Sequence, residues 1–143
     1  MRAIIDVVGV NDDTVLCGFA ERLLEVVVDN NRYLMQRLGS KVPPLYRSGV
    51  RFRAEPWAGP NGFGLEQFTP FPELIRRGWA DCAQLAPWLV AERREHGDPN
   101  ARLRFYCRTF PNPDDPSNPI RSYHVETRDG SGRIQDPSRW LEF

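Results

Sequence analysis

The feature that most constrains the fold is a long run of apolar residues at helical spacing in residues 14–38. This run predicts one long helix with a single face in the core, capped by Asp13 and stopped by Gly39. Its apolar positions are Leu16, Phe19, Ala20, Leu23, Leu24, Val27, Val28, Leu34, Met35 and Leu38. The asparagines at 30 and 31 lower the helical propensity, so a bend or break is expected there.

The last third of the chain shows the alternation of half-buried strands. Apolar and polar residues alternate around Leu103, Phe105 and Cys107, and residues 122–127 form a second candidate strand. The Asp-Gly-Ser-Gly run that follows predicts a hairpin turn, with residues 133–136 as the partner strand. A central helix followed by an antiparallel sheet predicts the α+β class.

The chain is long enough for one domain, and we expect residues 1–143 to form a single one. Residues 1–71 would supply an N-terminal arm, the long helix and loops rich in proline and aromatic residues. Residues 72–143 would form the core that carries the chemistry. Within the first part, residues 3–10 read as a strand or extended arm, and residues 50–54 as a short strand.

Charge gives little reason to expect a nucleic-acid or membrane partner. The 19 basic and 19 acidic residues balance, so there is no overall attraction to a polyanion. A patch of Arg102, Arg104 and Arg108 on one strand is a weaker alternative that would suit nucleic acid. No window approaches a membrane span, and the start is too short in apolar residues for a signal peptide. We expect a cytoplasmic protein, or one that belongs to a particle assembled in the cytoplasm.

The three cysteines contain no CxxC pair and are odd in number. This pattern indicates neither a disulfide framework nor a four-cysteine zinc site, and it favours a reducing compartment. Cys17 lies among apolar neighbours of the long helix, and Cys107 lies on a predicted strand. Both are expected to pack in the core. No cofactor and no metal are expected.

Cys82 has a different setting. Residues 72–77 predict a helical turn closed by Gly78, and a second helix starts close to Cys82 and ends near Gly97. A cysteine in the first turn of a helix faces free backbone N–H groups, which favour the reactive thiolate. Pro87 is expected to kink this helix one turn after the cysteine. A buried structural cysteine is the alternative.

His124 is the histidine best placed to act as a base for that thiol. If the hairpin turn is tight, His124 on one strand faces Asp136 on the other. An acid beside an imidazole fixes its tautomer and stabilises its charge, as nucleophilic cysteine chemistry requires. A strand histidine bonded to a surface aspartate is the alternative. His96, in the charged end of the second helix, is expected to be solvated and structural.

These residues together resemble the transglutaminase-like superfamily of cysteine enzymes, which has a papain-like core. The resemblance is carried by the turn from Gly78 to Cys82, by His124-Val125-Glu126 and by Asp136-Pro137-Ser138, and it covers about residues 72–140. It differs from the common pattern at Gln84, at Val125 and at Pro87.

The resemblance implies that Cys82 is a nucleophile that forms a thioester, that His124 is the general base, and that Asp136 orients His124. The implied fold is a central helix carrying the cysteine on an antiparallel sheet. An oxyanion hole would use the Cys82 N–H and one upstream side chain, for which the candidates are Gln67, Trp57 and Trp79.

The predicted activity is hydrolysis of, or acyl transfer from, an amide or peptide bond in a peptide or protein substrate. Hydrolysis by a peptidase or amidase is favoured over crosslinking. The alternative is a structural or assembly protein, for example a phage particle component, that keeps the fold without the catalysis. In that case partners or further copies of the chain would bind through the N-terminal arm and the long helix.

Overall fold

The computed structural model describes residues 13–54, 69–117 and 120–142. The helices are α1 (Asp13–Leu38), α2 (Phe71–Arg77), α3 (Cys82–Glu95) and the short α4 (Pro137–Trp140), and two 3-10 turns lie at Gly39–Lys41 and Leu45–Arg47. The strands are β1 (Arg51–Phe52), β2 (Trp79–Ala80), β3 (Arg102–Phe110), β4 (Ile120–Arg128) and β5 (Ile134–Gln135). The chain is therefore a mixed helix and sheet protein, compatible with the predicted α+β class.

The strands form two separate sheets. β3, β4 and β5 form an antiparallel sheet in that order, while β1 and β2 make a short parallel pair. α1 packs against β3 and α3, and α3 packs against β4. Two helices thus cover one face of the antiparallel sheet, here called the inner face. The other face, the outer face, carries the alternate side chains of β3 and β4.

The long helix is present with the predicted bounds, but it does not break at its asparagines. α1 runs without interruption to Leu38. Asn31 is fully buried, and its Oδ1 accepts a hydrogen bond of 3.1 Å from the backbone N–H of Phe71 at the start of α2. The asparagine therefore joins α1 to α2 through a specific polar contact, which outweighs its weak helical propensity.

The expectation that the cysteines form no disulfide is wrong for Cys17, which is disulfide-bonded. Spacing along the sequence could not reveal this bond, because a disulfide depends on distance in the folded chain. Cys82 is not disulfide-bonded.

The turn before the cysteine helix is built as predicted. α2 ends at Arg77, and Gly78 follows with φ of 80°, a left-handed conformation that glycine adopts without strain. The Gly78 N–H donates to the Leu74 carbonyl at 2.9 Å and so satisfies one carbonyl of the last turn. β2 then leads directly into α3, which fixes where the first residue of α3 lies.

α3 is the most buried helix among the described elements. Nine consecutive residues from Ala83 to Ala91 are buried, so the helix has protein on all sides over this stretch. The helix continues through Pro87 to Glu95 as one element, and Gly97 follows it with φ of 98°. The side chain of Trp88 is fully buried, and its ring centroid lies 5.4 Å from that of Phe71.

Some predicted features lie outside the described residues. These are the arm at residues 3–10 and the aromatic-rich stretch at residues 55–68. The predicted strand at residues 50–54 is present as the two-residue β1. None of the described helices has the length and apolar character needed to cross a membrane.

Candidate functional site

The hairpin of β4 and β5 brings the predicted histidine and aspartate together. His124 Nε2 and Asp136 Oδ2 lie 2.7 Å apart. A carboxylate only accepts hydrogen bonds, so Nε2 carries the proton and Nδ1 presents its lone pair. This is the tautomer in which an imidazole can take a proton from a nucleophile while a carboxylate holds it in place.

The register that was assumed for this hairpin is wrong by two residues. It would pair Thr127 with Arg133, whereas the structure pairs Thr127 with Gln135. The reason is a wider turn, closed by the Asp129 N–H bonded to the Arg133 carbonyl at 2.9 Å. His124 and Asp136 are in contact despite this different register. Asp136 lies one residue beyond β5, and its side chain reaches diagonally back to β4.

Asp136 is held by more than the histidine. It caps α4, since its Oδ1 accepts a hydrogen bond of 3.0 Å from the Ser138 N–H. Arg139 Nε lies 3.5 Å from its Oδ2. Only 10% of the Asp136 side chain is exposed, against 29% for His124. The carboxylate is therefore fixed before any substrate binds, and the imidazole edge remains accessible.

The strand alternation places the imidazole on the outer face. Val125 is fully buried, and the Thr127 hydroxyl donates to the Ala86 carbonyl of α3 at 3.5 Å, so both point to the inner face. Successive side chains on a strand point to opposite faces, so His124 and Glu126 point outward. The outward neighbours confirm this: Tyr106 contacts the His124 ring edge-on, with the centroids 5.7 Å apart.

Cys82 is the first residue of α3, as predicted, and is half-buried. Asp81 caps the helix, and Gln84 completes a reciprocal capping box with it. No hydrogen bond joins Cys82 to His124 in the part of the chain that the structure describes. The structure therefore brings together two of the three predicted residues. The third lies on the helix that packs against the inner face.

Gln84 turns out to organise the turn that carries the cysteine. Its side chain is fully buried, and its Oε1 accepts hydrogen bonds from the Asp81 N–H and from Arg77. Its Nε2 donates to the Thr69 hydroxyl at 3.3 Å. The sequence showed Gln84 only as a departure from the superfamily pattern. The sequence signal for this role was the spacing of Asp81 and Gln84, which is that of a helix N-cap and its N3 partner in a capping box.

Of the three candidates for an oxyanion-hole side chain, the structure describes only Trp79. The Arg77 guanidinium lies over its ring, 3.8 Å from the centroid, and Arg53 lies 5.3 Å away. Trp57 and Gln67 are outside the described residues. The choice among the three stays a prediction.

The outer face also holds an ion pair that sequence reasoning missed. Arg104 on β3 is paired with Glu126 on β4, and its Nη1 lies 2.6 Å from Glu126 Oε1. Alternation alone puts both residues on one face of their strands, but only the register shows that they are opposite each other. The pair lies next to Tyr106 and His124, so it belongs to the same site.

His124, Glu126 and Asp136 form a group of three potential metal ligands. Their ligand atoms lie within 4.8 Å of one another. Each carboxylate, however, already has a cationic neighbour, Arg104 for Glu126 and Arg139 for Asp136. These fixed positive charges would repel a metal ion, so we assign the group as an ion-pair and hydrogen-bond network.

His96 follows α3 at the opposite end from the cysteine and is exposed, in agreement with its structural assignment. It borders a cavity of about 500 Å³ together with Glu92 and Glu95. Burial raises the pKa of Glu92, while the N–H of Leu45, which donates to its Oε2 at 2.8 Å, opposes that shift. This end of α3 is held by the half-buried Glu92, and Arg93 beside it donates a hydrogen bond to Gln135 of β5.

Tyr46 lies beside β5 and gives a pH-dependent test of the local structure. Its hydroxyl accepts a hydrogen bond of 2.7 Å from Gln135, and its ring contacts Trp140. Burial raises the pKa of Tyr46 to about 12. An unfolded tyrosine loses its proton at about 10, so the folded chain holds this proton more tightly.

We therefore expect Tyr46 to contribute stability below pH 10 that is lost as the pH rises towards about 12. The check is urea unfolding at several pH values between 9 and about 12, in the native chain and in Tyr46→Phe. The variant should lose less stability over this range. Equal losses in the two proteins would contradict the assignment.

Comparison with known proteins finds no relative: no family model, no curated protein and no solved structure matches this chain.

Proposed function

We propose that this chain is a transglutaminase-like cysteine hydrolase or acyltransferase that acts on an amide or peptide bond. In this proposal Cys82 is the nucleophile, His124 the general base and acid, and Asp136 the residue that orients His124. The proposal is supported by the 2.7 Å distance between His124 Nε2 and Asp136 Oδ2. The sequence motif and the predicted hairpin had already indicated these two residues. A strand histidine bonded to a buried, capping aspartate fits a positioned base better than a surface ion pair.

The chemistry follows from this tautomer. The Cys82 sulfur would attack the carbonyl carbon of the amide while its proton passes to His124 Nδ1. The protonated imidazole, stabilised by Asp136, would then give that proton to the departing amine as the carbon–nitrogen bond breaks. Water, or an amine in the case of transfer, would attack the thioester with His124 again acting as base, which releases the acid and restores the thiol.

The proposal requires Cys82 and His124 to meet at one edge of β4. α4, which begins one residue after Asp136, packs against α3. The contact beside Asp136 is made by Arg93, which lies near the end of α3 opposite Cys82 and donates a hydrogen bond to Gln135. Catalytic hydrogen bonds often tighten only when substrate is bound. His124 points to the outer face, whereas α3 packs against the inner face. The proposal therefore requires the substrate complex to bring the thiol and Nδ1 together around the part of β4 that β5 does not cover.

Alkylation of the thiol tests this couple without a substrate. Because a neighbouring imidazole can hold a cysteine as the reactive thiolate, iodoacetamide at pH 7 should alkylate Cys82. His124→Ala should slow the reaction at least about tenfold, as expected when an activating base is lost. His96→Ala is the matched control, since His96 is distant from the site, and should leave the rate unchanged. Peptide mapping by mass spectrometry locates the label.

One observation favours the alternative of an assembly protein. Among its described side chains, α1 exposes five large hydrophobic ones, of which four are spaced four or seven residues apart and therefore lie on one side of the helix: Val15, Phe19, Val26 and Tyr33, with Leu38 as the fifth. This spacing suits the seam of a coiled coil with a second copy of α1. If Cys82 resists alkylation equally in the native chain and in His124→Ala, and the chain sediments as an oligomer, this alternative replaces the enzyme proposal.

A further inference from the structure

A cavity of about 370 Å³ opens on the outer face beside the His124–Asp136 pair. Its lining combines cationic, aromatic and acidic side chains: Arg104, Tyr106, Glu126, Ile134, Gln135, Asp136, Arg139 and Trp140. Asp136 is part of the wall, and Tyr106 touches the His124 ring. A molecule in this cavity would therefore lie next to the proposed base.

The acidic and basic side chains that line this cavity differ in their exposure to solvent. Both carboxylates are nearly covered, with 9% of the Glu126 side chain and 10% of the Asp136 side chain exposed. The two arginines are open, with 43% of the Arg104 side chain and 85% of the Arg139 side chain exposed. The cavity thus presents positive charge to solvent and keeps its negative charge behind it.

Both guanidinium groups retain hydrogen-bonding capacity. Arg104 uses Nη1 on Glu126, and Arg139 approaches Asp136 only through Nε at 3.5 Å. An arginine has five N–H donors in a planar fork that matches a carboxylate. The remaining donors can therefore bind an anionic group that enters from solvent.

The aromatic residues that line the cavity indicate a second property of its ligand. Tyr106 is 36% exposed and Trp140 is 72% exposed, although both are large rings that are commonly covered in a folded protein. Trp140 is supported from behind by Tyr46, at 6.5 Å between ring centroids. Two exposed rings beside two guanidinium groups suit a ligand that has a flat apolar part next to its charge.

We propose that this cavity is the specificity pocket for a substrate carboxylate that lies close to the scissile amide, with a flat apolar group beside it. This inference rests on the proposed hydrolase or acyltransferase function and adds to it the substrate class. Arg139 and Arg104 bind the carboxylate, Tyr106 and Trp140 hold the apolar group, and the amide is thereby placed beside His124.

Binding is measured in the full-length Cys82→Ala variant, so that the result does not depend on catalysis. The probe is N-benzoylglycine, which has a ring, an amide and a carboxylate, and the matched neutral probe is N-benzoylglycinamide. Tryptophan fluorescence reports binding, and Trp140→Phe identifies Trp140 as the reporter. We expect the acid to bind at least about tenfold more tightly than its amide, as for an added charge-assisted hydrogen bond.

Arg139→Gln should remove most of this preference, and folding should be unaffected because the side chain is so exposed. Arg22→Gln, an exposed arginine on α1, is the matched control and should change nothing. Arg104→Gln combined with Glu126→Gln removes the second guanidinium without leaving a buried carboxylate unpaired, and should weaken binding of the acid further. Equal binding of both probes, or unchanged binding in Arg139→Gln, would overturn the proposal.

The two proposals fail separately. Binding of the acid that depends on Arg139, with no alkylation or hydrolysis at Cys82, would keep the pocket and remove the cysteine enzyme. Hydrolysis at Cys82 of neutral and acidic amides at the same rate, with no binding of the acid, would keep the enzyme and remove the pocket.

Discussion

Cys82→Ala should abolish hydrolysis of amide substrates, and His124→Ala should lower kcat by about a thousandfold or more. The nucleophile and its base act as a unit, so the loss of either leaves only the contribution of substrate binding and of the oxyanion hole. Asp136→Asn should cost a similar factor, because asparagine loses the charge that stabilises the imidazolium. The measurement is release of 4-nitroaniline from N-succinylphenylalanine 4-nitroanilide, which carries a carboxylate and an aromatic ring near the scissile amide.

The choice of asparagine keeps this test specific. Asparagine is as good a helix cap as aspartate, so α4 should still begin at Pro137. His96→Ala should retain full activity and serves as the matched control for His124→Ala. Activity in Cys82→Ala at the native level would assign hydrolysis to another group or to a contaminant, and would remove Cys82 from the mechanism.

Trp88→Ala should lower the free energy of unfolding by about 3–5 kcal/mol. Trp88 is fully buried in the middle of α3 and packs on Phe71, so alanine would leave a large cavity between α3 and its neighbours. This is a large share of the stability of a typical domain, about 5–15 kcal/mol. Urea unfolding followed by circular dichroism measures the change.

Trp88→Phe separates packing from polarity at the same position. In the described part of the chain the indole Nε1 of Trp88 is buried without a hydrogen-bond partner. An unsatisfied buried donor costs about 1–3 kcal/mol. Phenylalanine removes this donor and keeps most of the ring, so the variant should lie within about 1 kcal/mol of the native chain. A loss as large as that of Trp88→Ala would show that the indole N–H has a favourable role.

The sequence predicted the helices and strands in which apolar residues recur with a clear helical or strand periodicity. Residues 14–38 gave α1 almost to the residue, and the alternation at Leu103, Phe105 and Cys107 gave β3. The asparagine at 31 was misread because propensity is local. Its effect depends on the backbone N–H of Phe71, forty residues away, which no pattern within α1 could indicate.

The contact between His124 and Asp136 could be predicted from the sequence, whereas the other contacts of the candidate site could not. His124 and Asp136 followed from a motif and a hairpin, and they are in contact. The register of that hairpin depends on how many residues the turn takes up, which the Asp-Gly-Ser-Gly run alone does not fix. Arg104 and Glu126 meet only through the pairing of β3 with β4, and Arg139 reaches the site only through α4. These contacts across the sheet required the structure.

The proposed mechanism requires Cys82 to carry the acyl group of the substrate with the help of His124. The direct measurement is intact-mass spectrometry, with peptide mapping, of the chain quenched in acid during turnover of N-succinylphenylalanine 4-nitrophenyl ester, which keeps a carboxylate and an aromatic ring. We expect one N-succinylphenylalanyl group, mapped to Cys82 in the native chain and nearly absent in His124→Ala and Cys82→Ala. An adduct on another residue, or one that forms on Cys82 at the same rate in His124→Ala, would contradict the proposed mechanism.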